Sequence, residues 1–293
     1  MKNLSLMLYL AMFAWGSNWV SAKILMDYFN AYELIFWRFF IAAFGLFFVI
    51  IYMKISFKID KREIFYSFIC SIVLCLYNYF FFLGDHFGNA SLGGVLVTTL
   101  NPVLTFFALA MIAKKALKKS ELLALILGVF GSFLIIKIWR FNLNDKGIVY
   151  FLLATVTWVI LTIVSSKIKK ENSLVFSFLM FLFSTVFIYL TFLKLKIPRL
   201  DIDLKGWVNL LSLSVFGTTF ATAAYFYASS VIGGKRASAY IFLVPFSAVI
   251  LSWIFLKEKI DIFVIIGGII SLTGVYILNG YSLEDVKALL KRS

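Results

Sequence analysis

Long apolar runs separated by short basic segments dominate the pattern of this chain. A bilayer core of about 30 Å requires about 20 apolar residues in a helix, and ten runs approach that length. They fall at approximately 4–24, 32–53, 64–84, 89–112, 121–139, 147–166, 173–193, 207–228, 235–256 and 262–279. The runs lack the alternation of barrel strands, and lipid leaves no backbone group unpaired. The pattern therefore predicts an all-α integral membrane protein with ten transmembrane helices.

The basic residues between the runs predict the orientation. If the N-terminus is cytoplasmic, the inner segments hold nearly twice as many Lys and Arg residues as the outer loops. Cytoplasmic loops are enriched in these residues, so we expect both termini in the cytoplasm. The bias is strong in the first half of the chain and absent in the second.

The composition argues against a soluble globular protein. Hydrophobic residues make up 62% of the chain and charged residues 14%, whereas globular domains are about 25% charged. A soluble chain of this kind would expose apolar patches and aggregate. The net charge of +14 lies in clusters between apolar runs, which is typical of membrane loops, so no nucleic-acid partner is expected.

Residues that support metal or redox chemistry are scarce. Cys70 and Cys75 lie inside one apolar run, and His86 is the single histidine. We interpret the cysteines as small apolar helix residues, and we expect no metal and no cofactor. The first run continues past Trp15 to about Met26, which is longer than the apolar region of a cleavable signal peptide.

The last 13 residues differ from the rest of the chain. The segment 281–293 places four aliphatic residues beside Lys287, Lys291 and Arg292. It predicts either a short cationic amphipathic helix on the inner leaflet or a solvated tail.

An internal repeat is the most informative feature of the sequence. A constant shift of 143 residues, without gaps, aligns five pairs of identical residues in the two halves. The pairs are Ala11 and Ala154, Trp15 and Trp158, Pro102 and Pro245, Lys114 and Lys257, and Gly131 and Gly274. Each copy holds five predicted helices, an odd number, so the second copy must enter the membrane from the opposite side. The sequence therefore predicts two inverted repeats, at 1–139 and 144–280, which is the geometry of alternating access.

Polar residues that recur every three or four positions lie on one face of a helix. Such a face indicates either a cavity wall or close helix packing. In the fourth run this stripe consists of Ser91, Gly94, Thr98, Asn101 and Thr105. Small residues of this kind also allow close approach of helices. We favour Asn101 for a cavity wall because a buried amide needs hydrogen-bond partners.

Aromatic residues extend the predicted cavity wall. Trp15 and Trp158 occupy equivalent mid-helix positions, away from the interfacial belt where Trp is usually found. Lipid-facing or core aromatics are the alternative. The full predicted wall is Trp15, Asn18, Tyr79, Thr98, Asn101, Trp158, Thr222, Tyr225 and Tyr240. Pro102 and Pro245 each remove a helical hydrogen bond and are predicted hinges.

Charged side chains are few within the runs. The acids closest to membrane depth are Glu33, Asp85 and Glu258, and none lies at a midplane, so proton coupling by a buried carboxylate is not expected. Arg38 lies about 9 Å along the second helix. It could extend toward the headgroups or serve as a counter-charge for Glu33 or for a substrate carboxylate.

Several motifs resemble the EamA family of the drug/metabolite transporter superfamily. They are the segment 15–19, the stretch around Arg38, the segment from Gly233 to Pro245 and the residues Gly267, Gly268 and Gly274. The sequence departs from the family pattern at one position. The shift aligns Glu258 of the second half with Lys115 of the first, so Glu258 has no acidic counterpart. The resemblance covers nearly the whole chain. It implies ten helices, cytoplasmic termini, a bacterial inner-membrane location, and a central cavity formed mainly by helices 1, 3, 4, 6, 8 and 9.

These observations predict an inner-membrane transporter of small metabolites that works by alternating access as a monomer or weak homodimer. Neutral hydrogen-bonding groups between aromatic surfaces suit zwitterions better than polyanions. The resemblance to the EamA family also implies amino-acid export, which is a frequent activity in related proteins. The first alternative is an exporter of cationic drugs or other metabolites, with cation–π contacts to the aromatic wall. A membrane enzyme is a further alternative, but the sequence offers no convergent acid, base and nucleophile.

Overall fold

A computed structural model describes residues 2–87, 90–114, 117–136, 138–140, 146–256 and 262–278. The described residues are helical throughout, with short connections. The α-helices are α1 (Lys2–Leu25), α2 (Ala31–Tyr52), α3 (Lys61–Phe87), α4 (Ala90–Ala113), α5 (Lys119–Ile136), α6 (Lys146–Ser165), α7 (Ser173–Thr191), α8 (Leu204–Leu211), α9 (Ala221–Ile232), α10 (Gly234–Ala239), α11 (Val244–Leu256) and α12 (Ile262–Leu278). The predicted tail 281–293 and the residues Lys115, Lys257 and Glu258 lie outside the described part.

Two of the predicted runs are composite helices. A π-helical segment, Ser212–Phe220, joins α8 to α9, so helix continues over Leu204–Ile232. A 3₁₀ segment, Tyr240–Leu243, joins α10 to α11. Both irregular segments lie in the second half of the chain, at positions where the first half has the continuous helices α3 and α4.

Within the described part of the chain, six helical stretches are long and apolar enough to cross a membrane. They are Ala31–Tyr52, Lys61–Phe87, Leu96–Ala113, Lys146–Ser165, Lys170–Thr191 and Leu204–Ile232. The outer surface of α2 has Phe40, Phe44 and Phe48 about half exposed, which a water-soluble surface would not tolerate in such number. The protein is thus a multi-pass helical membrane protein. The count of ten crossings and the boundaries of the two repeats remain predictions.

Local capping explains where two of the helices begin. Asn30 Oδ1 accepts hydrogen bonds from the backbone N–H groups of Tyr32 and Glu33, and Glu33 Oε2 accepts from the N–H of Asn30. This reciprocal capping box starts α2. At α8 the cap is not reciprocal: the side chain of Asp203 accepts a hydrogen bond from the N–H of Gly206. Glu33 is therefore engaged at the helix end.

The packing of α5 on α12 repeats under the 143-residue shift. A side chain at Gly131 would meet Gly267 O and Ser271, whereas one at Gly274 would meet Ala124 O and the backbone of Gly128. Gly267 and Ser271 are the positions equivalent to Ala124 and Gly128, so the two sets of contacts are copies of each other. Residues late in α5 face residues early in α12, and the two helices therefore run antiparallel. Small residues let the backbones approach closely.

Other helix contacts follow the same correspondence. α1 packs on α11 and α4 packs on α6, while α2 packs on α7. α3 packs against α6, and α1 packs against α9 and the π-helical segment. The rings of Trp15 and Trp158, which the shift also aligns, meet edge to face with their centroids 5.0 Å apart. The central cavity lies beside this aromatic pair.

Candidate functional site

A small cavity lies in the centre of the bundle, between the two halves of the chain. Its volume of about 40 Å³ holds a few water molecules, whereas ligand pockets are about 300 to 1,000 Å³. It is lined by Trp15, Asn18, Trp19, Arg38, Tyr77, Phe81, Val97, Thr98, Asn101, Trp158, Ile241 and Val244. In this conformation the walls are contracted, and a solute of metabolite size requires them to separate.

The two equivalent tryptophans form one end of the wall. Trp15 Nε1 donates to Gly217 O at 3.0 Å, with Thr222 Oγ1 at 3.4 Å. Tyr225 packs behind both indoles, and its hydroxyl is 2.8 Å from Thr162 Oγ1. The indole of Trp15 is thus fixed by a hydrogen bond to the second half of the chain.

The π-helical segment supplies the acceptor for Trp15. The hydroxyls of Thr218 and Thr219 in this segment, and that of Thr222 at the start of α9, donate to carbonyls five residues earlier, as the wider π turn allows. Such turns inside α-helices are frequent at functional sites. Gly217 lies at the closest approach: a Cβ there would be 1.9 Å from Asn18 Oδ1. The absence of a side chain at Gly217 makes room for Asn18 in the cavity wall.

Arg38 is a buried cation in the cavity wall and is only 6% exposed. Its Nε donates to Thr218 Oγ1 and its Nη1 donates to Asn78 Oδ1, both at 2.7 Å. No ion pair joins it to any residue that the structure describes. Glu33, its partner in one of the sequence interpretations, is instead occupied in the α2 capping box. The headgroup interpretation is also disfavoured, because the guanidinium is directed into the bundle.

Two amides in the wall have polar atoms without a partner among the described residues. They are Asn18 Oδ1, an acceptor, and Asn101 Nδ2, a donor. Asn18 is 6% exposed and Asn101 is 1% exposed. Buried polar atoms are nearly always hydrogen-bonded, so these two are candidate contacts for a solute.

Proline opens the backbone at two equivalent points of the cavity. Pro102 in α4 has no N–H for the carbonyl of Thr98, and Pro245 in α11 has none for the carbonyl of Ile241. Thr98 and Ile241 both line the cavity. Just before Pro245 the helix tightens into its 3₁₀ segment. The two predicted hinges thus directly follow Asn101 and Val244, which also line the cavity.

The structure brings together part of the predicted wall. Five of the nine residues line the cavity: Trp15, Asn18, Thr98, Asn101 and Trp158. Thr222 and Tyr225 lie behind the two indoles. Tyr240 is buried near α1, with its hydroxyl 3.0 Å from Ser5 Oγ. Tyr79 stacks on Tyr32 at 5.3 Å, outside the cavity lining. In the polar stripe of the fourth run, Ser91 and Gly94 are outside the residues whose burial the structure describes.

Seven residues that line the cavity are absent from the wall predicted from the sequence. They are Trp19, Arg38, Tyr77, Phe81, Val97, Ile241 and Val244. Most are apolar, and no polarity signal separates them from lipid-facing or core residues. Tyr77 and Phe81 show a second cause. α3 packs against both α6 and α7, so more than one face of this helix is buried, and spacing alone favoured the face of Tyr79.

A wider cleft lies at the surface, between the α1–α2 connection and the segment 192–202. Its volume is about 570 Å³, and its lining includes Glu33, Lys196, Arg199 and Asp201. It is open and bordered by loops. The central cavity is the better candidate site because it lies within the bundle and its wall contains buried polar atoms that have no partner among the described residues.

The fold and the cavity define a class: multi-pass helical membrane proteins with a polar chamber between two halves. The EamA-like transporter family matches this chain twice, over residues 3–137 and 145–280. The chain belongs to this family, as the sequence resemblance implied. The membership indicates a transporter rather than an enzyme.

Several relatives are similar over nearly their whole length. An uncharacterized transporter of Archaeoglobus fulgidus is 24% identical over 280 residues, covering 93% of this chain and 96% of that protein. The uncharacterized transporter YoaV of Bacillus subtilis is 23% identical, with 89% and 91% covered. A solved crystal structure superposes with a TM-score of 0.71 at 14% identity, over 94% of this chain and 96% of that chain. This last likeness shows the fold alone.

Proposed function

We propose that this protein exports amino acids or similar small metabolites across the bacterial inner membrane by alternating access. The observation that carries the proposal is the contracted, polar and aromatic cavity between halves of the chain whose contacts repeat under the 143-residue shift. Its cavity volume of about 40 Å³ must grow to admit a solute. Two halves related in this way can rock so that the cavity opens on one side at a time.

The inverted arrangement of the repeats is part of the proposal. The antiparallel packing of α5 on α12 supports it. Equivalent helices that run in opposite directions are related by a two-fold axis perpendicular to the helices, and for membrane-spanning helices this axis lies in the membrane plane. The double match of the family, once per half, supports two copies of one unit. Two units of five crossings place both termini on the same side of the membrane, and the distribution of Lys and Arg between the loops favours the cytoplasmic side. Reporter fusions at the two termini test this, and reporters on opposite sides of the membrane would contradict the proposal.

Counterflow in proteoliposomes tests transport itself. Vesicles loaded with an unlabelled amino acid should accumulate the same labelled amino acid only when they contain the protein. Leucine, phenylalanine and threonine give a first panel, with the cation tetraphenylphosphonium to test the alternative cargo. Repeating the assay with an imposed pH gradient tests proton coupling. Absence of exchange for every amino acid, with exchange of the cation, would replace amino-acid export by the drug-export alternative.

Two cavity variants connect transport to the site. Trp158→Ala and Asn101→Ala should each weaken exchange while membrane insertion is unchanged, because both residues line the cavity. Trp139 is 55% exposed and contacts Phe263 at the surface, so Trp139→Ala is the matched control and should retain exchange. Unchanged flux in both cavity variants would remove the site from the proposal.

A further inference from the structure

The amide, hydroxyl and guanidinium side chains that line the cavity come from one half of the chain, and the polar group that the second half contributes to the lining is the indole N–H of Trp158. Asn18, Arg38, Tyr77, Thr98 and Asn101 line it from the first half. The 143-residue shift places Leu161, Phe181, Phe220, Ile241 and Val244 at the equivalent positions, and all five are apolar. Ile241 and Val244 themselves line the cavity, and the segments that carry them pack against α4, which carries Thr98 and Asn101. The chamber therefore has a polar wall and an apolar wall, although the fold around it is a repeat.

Arg38 is the charged group of the polar wall, and its orientation is controlled by its partners. Thr218 Oγ1 donates to Leu213 O at 2.8 Å, and Asn78 Nδ2 donates to Leu74 O at 2.9 Å. Each partner thus directs a lone pair toward the guanidinium. Two of its five N–H groups are used by these partners, and the other three have no partner in the part of the chain that the structure describes.

A buried cation without a counter-ion is costly inside a membrane protein. The repeat indicates that the fold does not demand it, because the equivalent position is Phe181, which is also buried and stacks on Phe39 at 5.6 Å. The fork of an arginine matches the two oxygens of a carboxylate. Asn101 Nδ2 adds a further donor, and Asn18 Oδ1 offers an acceptor suited to an ammonium group.

We infer that the transported molecule carries a carboxylate that binds Arg38, and that its apolar part lies against Ile241, Val244 and Trp158. This inference rests on the proposed transport function and narrows its substrate class to monocarboxylates with an apolar body, among them α-amino acids with aliphatic or aromatic side chains. The charge of Arg38 repels cationic solutes from the same position.

Four related probes test the inference on the wild-type protein, without any mutation. L-leucine carries both charges and L-leucinamide lacks the carboxylate, while 4-methylpentanoate lacks the ammonium group and 3-methylbutylamine carries only an amine. Binding to the detergent-solubilised full chain is measured by ligand-dependent thermal stabilisation, and competition is measured in the counterflow assay. The two carboxylate probes should bind and compete, and the amide and the amine should be weaker by about 10- to 100-fold, as expected for loss of a charged hydrogen-bonded pair.

Variants at Arg38 connect that preference to the guanidinium. Arg38→Gln should weaken leucine binding by about 10- to 100-fold and abolish the preference for leucine over leucinamide. Arg38→Lys keeps the charge without the fork and should recover part of the preference. Arg62→Gln is the matched control, since Arg62 is exposed and contacts Tyr66 on the surface of α3, and it should bind as the wild type does. A merely structural Arg38 would lower affinity for all four probes alike.

The outcomes separate this inference from the proposed function. Exchange of 4-methylpentanoate without exchange of leucine would retain the carboxylate site and refute amino-acid export. Exchange of tetraphenylphosphonium or the amine, unaffected by Arg38→Gln, would overturn the carboxylate site and retain a transporter. Binding of leucinamide as tight as that of leucine, or no binding of either carboxylate probe, would also overturn it.

Discussion

The contact between Gly217 and Asn18 permits a sharp test of how the cavity wall is assembled. A Cβ at Gly217 would lie 1.9 Å from Asn18 Oδ1 and 2.5 Å from both Asn18 Cγ and Nδ2. Ordinary contacts begin at about 3.4 Å, so the oxygen must retreat by about 1.5 Å. Asn18 cannot satisfy this by a small adjustment and must leave its position in the wall.

Two effects of Gly217→Ala oppose each other. Replacing glycine by alanine inside a helix stabilises by about 0.5 to 1 kcal/mol. Overpacking a buried site costs about 1 to 3 kcal/mol, and the overlap with all three terminal atoms of Asn18 favours the upper part of that range. The net result should be a loss of about 1 to 2 kcal/mol. For a chain of 293 residues this corresponds to a fall in melting temperature of about 2 to 3 °C.

A double-mutant cycle isolates the overlap. Asn18→Ala removes the atoms that the added methyl group would meet, so Gly217→Ala should stabilise the protein in that background, reversing its sign. The measurement is thermal unfolding in detergent, followed by tryptophan fluorescence. Gly234→Ala is the matched control, because its nearest contact is at 3.2 Å to a side-chain methyl group. Equal effects of Gly217→Ala with and without Asn18 would refute the reasoning.

Two further predictions concern the repeat and a helix end. Gly131→Leu and Gly274→Leu should lower the melting temperature by similar amounts, because each side chain would meet backbone of the facing helix, at 2.4 and 2.7 Å; a large effect of only one would contradict the equivalence. At Asp203, the N–H of Gly206 and the hydroxyl of Tyr28 hold the pKa of the carboxyl below its usual range. Its stabilisation is therefore complete above the unfolded value of about 3.9 and is lost as the pH falls through the lower folded value. Asp203→Ala should melt below the wild type at pH 7, and a gap that stays constant from pH 7 to pH 3 would be contradictory.

Some of the cavity residues could be predicted from the sequence pattern. Thr98 and Asn101 were predicted from their spacing on one helix, and the structure finds both in the cavity lining. Trp15 and Trp158 were predicted from equivalence under the shift, and their rings are in contact. In these cases the signal is contained in one helix or in one comparison of the two halves.

Arg38 and Tyr77 show where that reasoning ends. From the sequence, Arg38 could extend to the headgroups, pair with Glu33 or face a substrate carboxylate. Its hydrogen bonds to Asn78 and Thr218 place the guanidinium inside the bundle. Those contacts join α2 to residues 40 and 180 positions away. Tyr77 and Tyr79 belong to different buried faces of α3, and which of them lines the cavity depends on the rotation of that helix against α6 and α7.

The chain alone determines that this is a helical membrane protein and predicts that it is built from a repeated unit, because the length of an apolar run and a constant residue offset are properties of the linear order. The tertiary structure decides which helix faces converge, that Gly217 makes room for Asn18, and that the cavity combines polar side chains of the first half with apolar side chains of the second. These depend on side chains brought together from distant segments, where a rotation of one helix by a fraction of a turn exchanges one buried face for another.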